Sequence, residues 1–157
     1  MDEANPKSSA RLLGHPIHPM LVPFPIAFFT GAFLADLAFL AAGDPFWAEA
    51  AFWLLAAGLA GAAAAALAGL ADFLGDRRIR ALGDAWLHMI GNVAAVLIEA
   101  ANLYVRLGDP AAALPSPGAY LSGAAFLLLG FTGWKGGDLV YRHRVGIPAG
   151  ADERPLH

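Results

Sequence analysis

The chain has 157 residues, 58% of them hydrophobic and only 15% charged, with a formal net charge of −3. Soluble domains carry about a quarter charged residues, so the composition argues against a water-soluble fold; without a basic patch interleaved with aromatics, nucleic acid is not an expected partner. The absence of cysteine removes disulfides, thiolate chemistry and Cys-ligated clusters.

Four apolar blocks stand out: Met20–Ala42, Trp47–Phe73, Trp86–Val105 and Ala119–Val140. Each meets or exceeds the ~20 residues that carry a helix across a ~30 Å hydrocarbon core, and lipid leaves the backbone no alternative to helix. The expected fold class is all-α: an integral membrane four-helix bundle of up-down topology over residues 12–147, with helices at about 20–42, 47–73, 85–106 and 118–140. The polar ends, 1–11 and 148–157, are expected as loose tails.

In chain order, the first block is preceded by GHPIHPMLVPFPIAFF, Gly14 to Phe29. A residue before proline is driven from the helical region, so His15-Pro16-Ile17-His18-Pro19 is expected as a stiff extended strap. At ~3.1 Å per residue and three residues per turn, His15 and His18 share a face ~9 Å apart. One imidazole then acts as ligand or proton carrier and the other as its hydrogen-bonding supporter, or both simply bond backbone carbonyls where helix one begins. Asp44-Pro45 is an N-cap followed by proline at the first helical position and opens helix two. Gly and Ala crowd helices two and four, as close packing in lipid requires. Asp84 is expected to cap helix three, and Ser116-Pro117 to repeat the Asp44-Pro45 device before helix four. His143 lies in a charged, solvated tail.

Lys and Arg divide sharply. Nine of the ten fall in the N-terminal tail, the Asp76–Asp84 loop or the C-terminal end, leaving Arg106 alone on the other side. The positive-inside rule then puts both termini in the cytoplasm, N-in and C-in, which suits a multi-pass protein of a bacterial inner membrane.

Ionisable and strongly polar groups inside apolar helices are functional suspects; here they are Asp36, Asp72, His88, Asn92, Glu99 and Asn102. Glu99 is eleven residues past His88, ~16 Å deeper at 1.5 Å per residue. Asp36 is as far past His18 as Arg106 is past His88, so the two are expected to pair near the outer face. At the opposite end, His15, His18, Asp72, His88 and Asp138 come from separate segments to one membrane layer, and that convergence is the strongest functional signal.

GHPIHPMLVPFPIAFF, together with GLADFLG, HMIGNVAAVL and GWKGGDLVYRHRVG, resembles a family of bacterial predicted membrane proteins known as domain of unknown function 2231, over about residues 12–147. The family's recurrent positions fall here on His15, Pro16, His18, Pro19, Pro25, Asp72, His88, Asn92, Gly136, Gly137 and Tyr141. The resemblance implies a four-helix membrane unit. The joining of such domains to Rieske or cytochrome c-type modules implies membrane redox chemistry, although the family supplies no settled activity.

The leading expectation is a small membrane redox module that holds b-type haem, or another metal, at its cytoplasmic end. His88 with His18 or His15 supplies the axial imidazoles, and Asp72 orients one of them. A non-haem iron, copper or zinc site would use His15, His18, Asp72 and His88. Asn92, Glu99, Asp138 and Tyr141 are the supporting polar residues. A redox protein and a second copy of the chain are the protein partners this reading allows, beside the lipid bilayer. Two other readings stay open: a cofactor-free structural or assembly subunit, and a proton or small-solute transporter using Glu99 and His88. A hydrolase is not expected, because neither a nucleophile elbow nor a convincing triad is present.

Overall fold

A computed structural model describes residues 5–147; the expected C-terminal tail, 148–157, lies outside them. The elements are β1 (Arg11–Leu12), β2 (His15–Pro16), α1 (Ile17–Leu21), α2 (Pro23–Ala42), α3 (Pro45–Gly75), α4 (Arg77–Arg80), α5 (Gly83–Val105) and α6 (Gly118–Tyr141). Three helical stretches are long and apolar enough to cross a membrane: Ile17–Ala42, Pro45–Gly75 and Gly83–Val105. The 24-residue α6 is not among them; six glycines, Lys135 and Asp138 lower its hydropathy.

Local chemistry sets the turn between α2 and α3. Gly43 ends α2 in the left-handed region at φ 70°, a conformation glycine adopts without steric cost. Asp44 then caps α3, accepting the Phe46 N–H at 3.0 Å, with Pro45 in the first turn. Two expected caps are corrected. Leu82 occupies the N-cap of α5 without a side-chain bond, because the Asp84 carboxylate is taken by Lys135 and His143. Pro117, not Ser116, holds the N-cap position of α6, again with no side-chain cap.

The four long helices pack as two antiparallel hairpins, α2/α3 and α5/α6, which meet through α2–α6 and α3–α5. Phe29, Ala32 and Ala35 of α2 with Ala51, Leu55 and Ala62 of α3 form a buried core, against which Val96 and Leu103 of α5 and Leu129 of α6 pack. Small residues let the backbones approach: a Cβ on Gly58 would stand 2.5 Å from the Phe29 ring. Outside, Leu34, Leu67, Leu97, Leu127 and Trp134 are exposed, while Asp36, Glu99, Asn102, Arg106 and Ser122 are buried. Polar groups inside an apolar exterior are what a lipid solvent selects.

The N-terminal segment departs from expectation. From residue 5 on it is not a loose tail. The Ser8 hydroxyl and the Ser9 and Ala10 amides donate to Asp72 Oδ1 at 2.9, 2.6 and 2.8 Å, the Lys7 amide donates to Asp76, and the Asn5 amide reaches the Ile147 carbonyl. The His-Pro strap is extended only through Pro16, where β2 pairs antiparallel with β1. Ile17–Leu21 is helical, His18 included, since a proline in the first turn forfeits no hydrogen bond that a helix there would make.

Candidate functional site

His18 and His88 face each other, one from each hairpin half, with ring centroids 6.1 Å apart and planes at 87°. His18 Nδ1 is 2.8 Å from the Ala65 carbonyl of α3, and His88 Nδ1 is 2.8 Å from the Thr132 carbonyl of α6. A carbonyl can only accept, so each Nδ1 carries the proton, and each Nε2 of a neutral ring keeps a lone pair.

The two imidazole niches follow one rule. In each, the accepting carbonyl lies four residues before a glycine: Ala65 before Gly69, and Thr132 before Gly136. A helical carbonyl points at the amide four residues on, so a side chain at that position stands beside the oxygen. A Cβ on Gly69 would come within 2.9 Å of His18 Nδ1, and one on Gly136 within 2.9 Å of His88 Cε1. Glycine is therefore what opens each carbonyl to the ring. Asn92, one turn past His88, donates to the His88 carbonyl at 2.7 Å and accepts from the Thr132 hydroxyl at 3.2 Å, which braces the α5 niche. An apolar groove between α2 and α6, lined by Ile26, Thr30, Phe126, Leu129, Gly130 and Gly133, ends next to Thr132 in sequence.

The remaining expected members of this layer are not brought to the pair. His15 is exposed, with Nδ1 3.1 Å from the Leu13 carbonyl; the tight turn at Leu13 and Gly14, both at positive φ, carries it out on β2. Asp72 serves the incoming N-terminal segment instead of an imidazole, because the amides of Ser9 and Ala10 need acceptors there. Asp138 accepts from Lys135 at 3.3 Å and lies 3.6 Å from Arg142. Tyr141 is 84% exposed. His143, expected in solvent, has Nε2 2.9 Å from Asp84, which also takes Lys135 at 2.9 Å. Among the described residues, no group of three or more His, Asp or Glu is placed to hold a metal ion, so a tetrahedral site with all-protein ligands does not fit. What the layer would offer a metal-bearing group is two imidazole nitrogens, the Nε2 atoms of His18 and His88, since Nδ1 of each ring is taken by a carbonyl.

A second polar layer lies deeper along α5. Arg106, at the end of that helix, and Asp36 of α2 are both 0% exposed and form a two-pronged ion pair, Nη1–Oδ1 and Nη2–Oδ2, each 2.7 Å. This is the pairing that equal depth predicts. Ser122 of α6 donates to Asp36 at 2.6 Å, and Arg106 Nε donates to Asn102 Oδ1 at 3.0 Å. The Asn102 amide donates to Ser122 at 2.8 Å and to Glu99 at 3.0 Å. Along the inner face of α5, His88, Asn92, Ala95, Glu99, Asn102 and Arg106 thus recur at alternating spacings of four and three, a polar stripe broken only at Ala95.

No curated protein and no solved structure matches the chain significantly. A family described as "Predicted membrane protein (DUF2231)" matches residues 14–149, from the first glycine of the His-Pro motif past the end of α6. The chain belongs to that family of predicted membrane proteins.

Proposed function

We propose that the chain is a small redox module of a bacterial inner membrane, in which His18 and His88 would hold a b-type haem or another metal. One observation carries this reading. Both imidazoles donate through Nδ1 to backbone carbonyls at 2.8 Å, the arrangement that fixes tautomer and ring orientation in metal-ligating histidines and leaves Nε2 as the lone-pair nitrogen, which on His88 has the Asn92 amide 3.4 Å away. The two rings lie close together, 6.1 Å between centroids, so one bound group would meet both. The group so held would supply one-electron transfer, its potential tuned by the ligating side chains and by burial. The chain's own part is to hold two rings at right angles and to fix their tautomers through the Ala65 and Thr132 carbonyls. In the proposed topology α6 also spans the membrane, both termini are cytoplasmic, and the histidine end faces a soluble redox partner. The nine-to-one division of Lys and Arg supports that orientation.

A second reading has its own support: each ring already has a hydrogen-bond partner, so the pair is also a satisfactory interhelical clasp in a cofactor-free structural subunit. An absorption spectrum and metal analysis of protein expressed with excess haem precursor separate the two. A Soret band or a stoichiometric metal supports the redox reading. A colourless, metal-free, folded protein supports the clasp and overturns the redox module.

A further inference from the structure

The centre of the bundle holds a carboxyl group that its surroundings leave incomplete. Glu99 is 0% exposed. Its Oε2 accepts from Asn102 at 3.0 Å, while Oε1 is the one buried side-chain polar atom among the described residues with no hydrogen-bond partner. The donors of the layer are committed elsewhere. Arg106 gives Nε to Asn102 and both terminal nitrogens to Asp36, Ser122 gives its proton to Asp36, and the Asn102 amide is divided between Glu99 and Ser122.

Charge counting sharpens the point. Asp36 and Arg106 cancel, so an ionised Glu99 leaves the layer at −1 with an acceptor oxygen facing no donor. A proton on Glu99 makes the layer neutral, as a lipid-embedded interior favours, but the new hydroxyl then needs an acceptor. With the layer's own donors committed, a water, donor and acceptor at once, would complete Oε1 in both states. We infer that Glu99 is a proton-binding site: its carboxyl takes up and releases one proton through water at Oε1, while the Asp36–Arg106 pair keeps its charges. The charged groups acting on it are Asp36 from α2 and Arg106 from the end of α5; α6 contributes the neutral Ser122, and α3 brings Glu49 to the cavity that Arg106 lines with Pro45, Trp53 and Asp109. In this proposal water reaches Glu99 from that end, where the polar stripe runs on through Asn102 to Arg106; the amide and the guanidinium do not themselves carry the proton. Towards His88 the stripe is interrupted at the buried Ala95, leaving ~10 Å of helix between Asn92 and Glu99. The inference goes beyond the redox reading and holds whether or not a cofactor binds.

The test is infrared spectroscopy of the full chain in lipid, titrated in pH, reading the carbonyl stretch of a neutral buried carboxylic acid. The expected result is a band that decays reversibly as pH rises, shifts in deuterated buffer, and is absent from Glu99→Gln. Should Glu99→Gln fail to fold, Glu99→Asp, which keeps the acid, assigns the band by moving it. A band that survives Glu99→Gln unaltered, the lack of any such band while the protein is folded, or a band indifferent to both pH and deuterium overturns the proposal. None of these outcomes depends on haem or metal, so failure here leaves the redox reading untouched and the reverse also holds.

Discussion

Replacing Arg106 by methionine strands the Asp36 carboxylate in the middle of the bundle. The substitution removes both prongs of a 2.7 Å ion pair between side chains that are 0% exposed and leaves Asp36 with the Ser122 hydroxyl. Removing one member of a buried pair costs about 3–5 kcal/mol, because an uncompensated charge remains. Asp36→Leu strands the guanidinium instead and should cost a similar amount. The double variant Asp36→Leu/Arg106→Met removes both charges, and apolar replacement of a whole buried pair is often neutral or stabilising. It should therefore lose much less than the sum of the single losses, with a coupling of at least ~2 kcal/mol, within the range seen for residues in one network. The assay is reversible unfolding in mixed micelles, followed by circular dichroism. Simple addition of the two losses, or single losses below ~1 kcal/mol, would refute the reasoning.

The imidazole niches make a sharper geometric prediction. Gly136→Ala drives a Cβ to 2.9 Å from His88, whereas at Gly137 and Gly133 a Cβ meets nothing within 4 Å. Gly136→Ala should destabilise by ~1–3 kcal/mol through overpacking, while Gly137→Ala and Gly133→Ala should gain up to ~1 kcal/mol of helix propensity; thermal unfolding of the three compares them directly. Gly69→Ala should match Gly136→Ala, since the opposing His18 contact is the same 2.9 Å, and a neutral result at both would dismiss the niches. Beyond the helices, the Arg78 side chain holds the Asp76 carboxyl far below the usual carboxylate range. A carboxyl whose value is lowered by folding stabilises above its ordinary value, near 3.8, and loses that contribution as pH falls further. The Lys7 amide donates to Asp76. Its protection factor, the intrinsic exchange rate over the observed rate at the same pH, should be steady from pH 7 to about 5 and fall only below about 4; Asp76→Asn should abolish the acid step.

Much of the deep layer was legible because depth follows from residue counting. Equal distances from His18 and His88 put Asp36 and Arg106 at one level, and the bundle pairs them at 2.7 Å. The turn at Gly43, Asp44 and Pro45 was legible because its chemistry is local. The meeting of His18 and His88 followed from hairpin topology, but their hydrogen-bond partners did not. A carbonyl acceptor carries no side-chain signature, and Gly69 and Gly136 are hidden among small residues that close helix packing would select anyway. The partners of Asp72 are hidden for a related reason: it accepts from the backbone amides of Ser9 and Ala10, which any sequence supplies. His15 was drawn towards the pair by the assumption that the strap stays extended. The turn at Leu13–Gly14 and the early start of α1 separate two histidines that lie only three residues apart.

The central claim is that His18 and His88 together hold one metal centre, and its most direct test is electron paramagnetic resonance of the oxidised, haem-loaded protein and its histidine variants. The account predicts a low-spin ferric signal of two-imidazole ligation in the wild type and in His15→Ala, and its loss in both His18→Ala and His88→Ala while circular dichroism shows the helices intact. A low-spin signal that survives either of those two substitutions, or that disappears with His15, would contradict it.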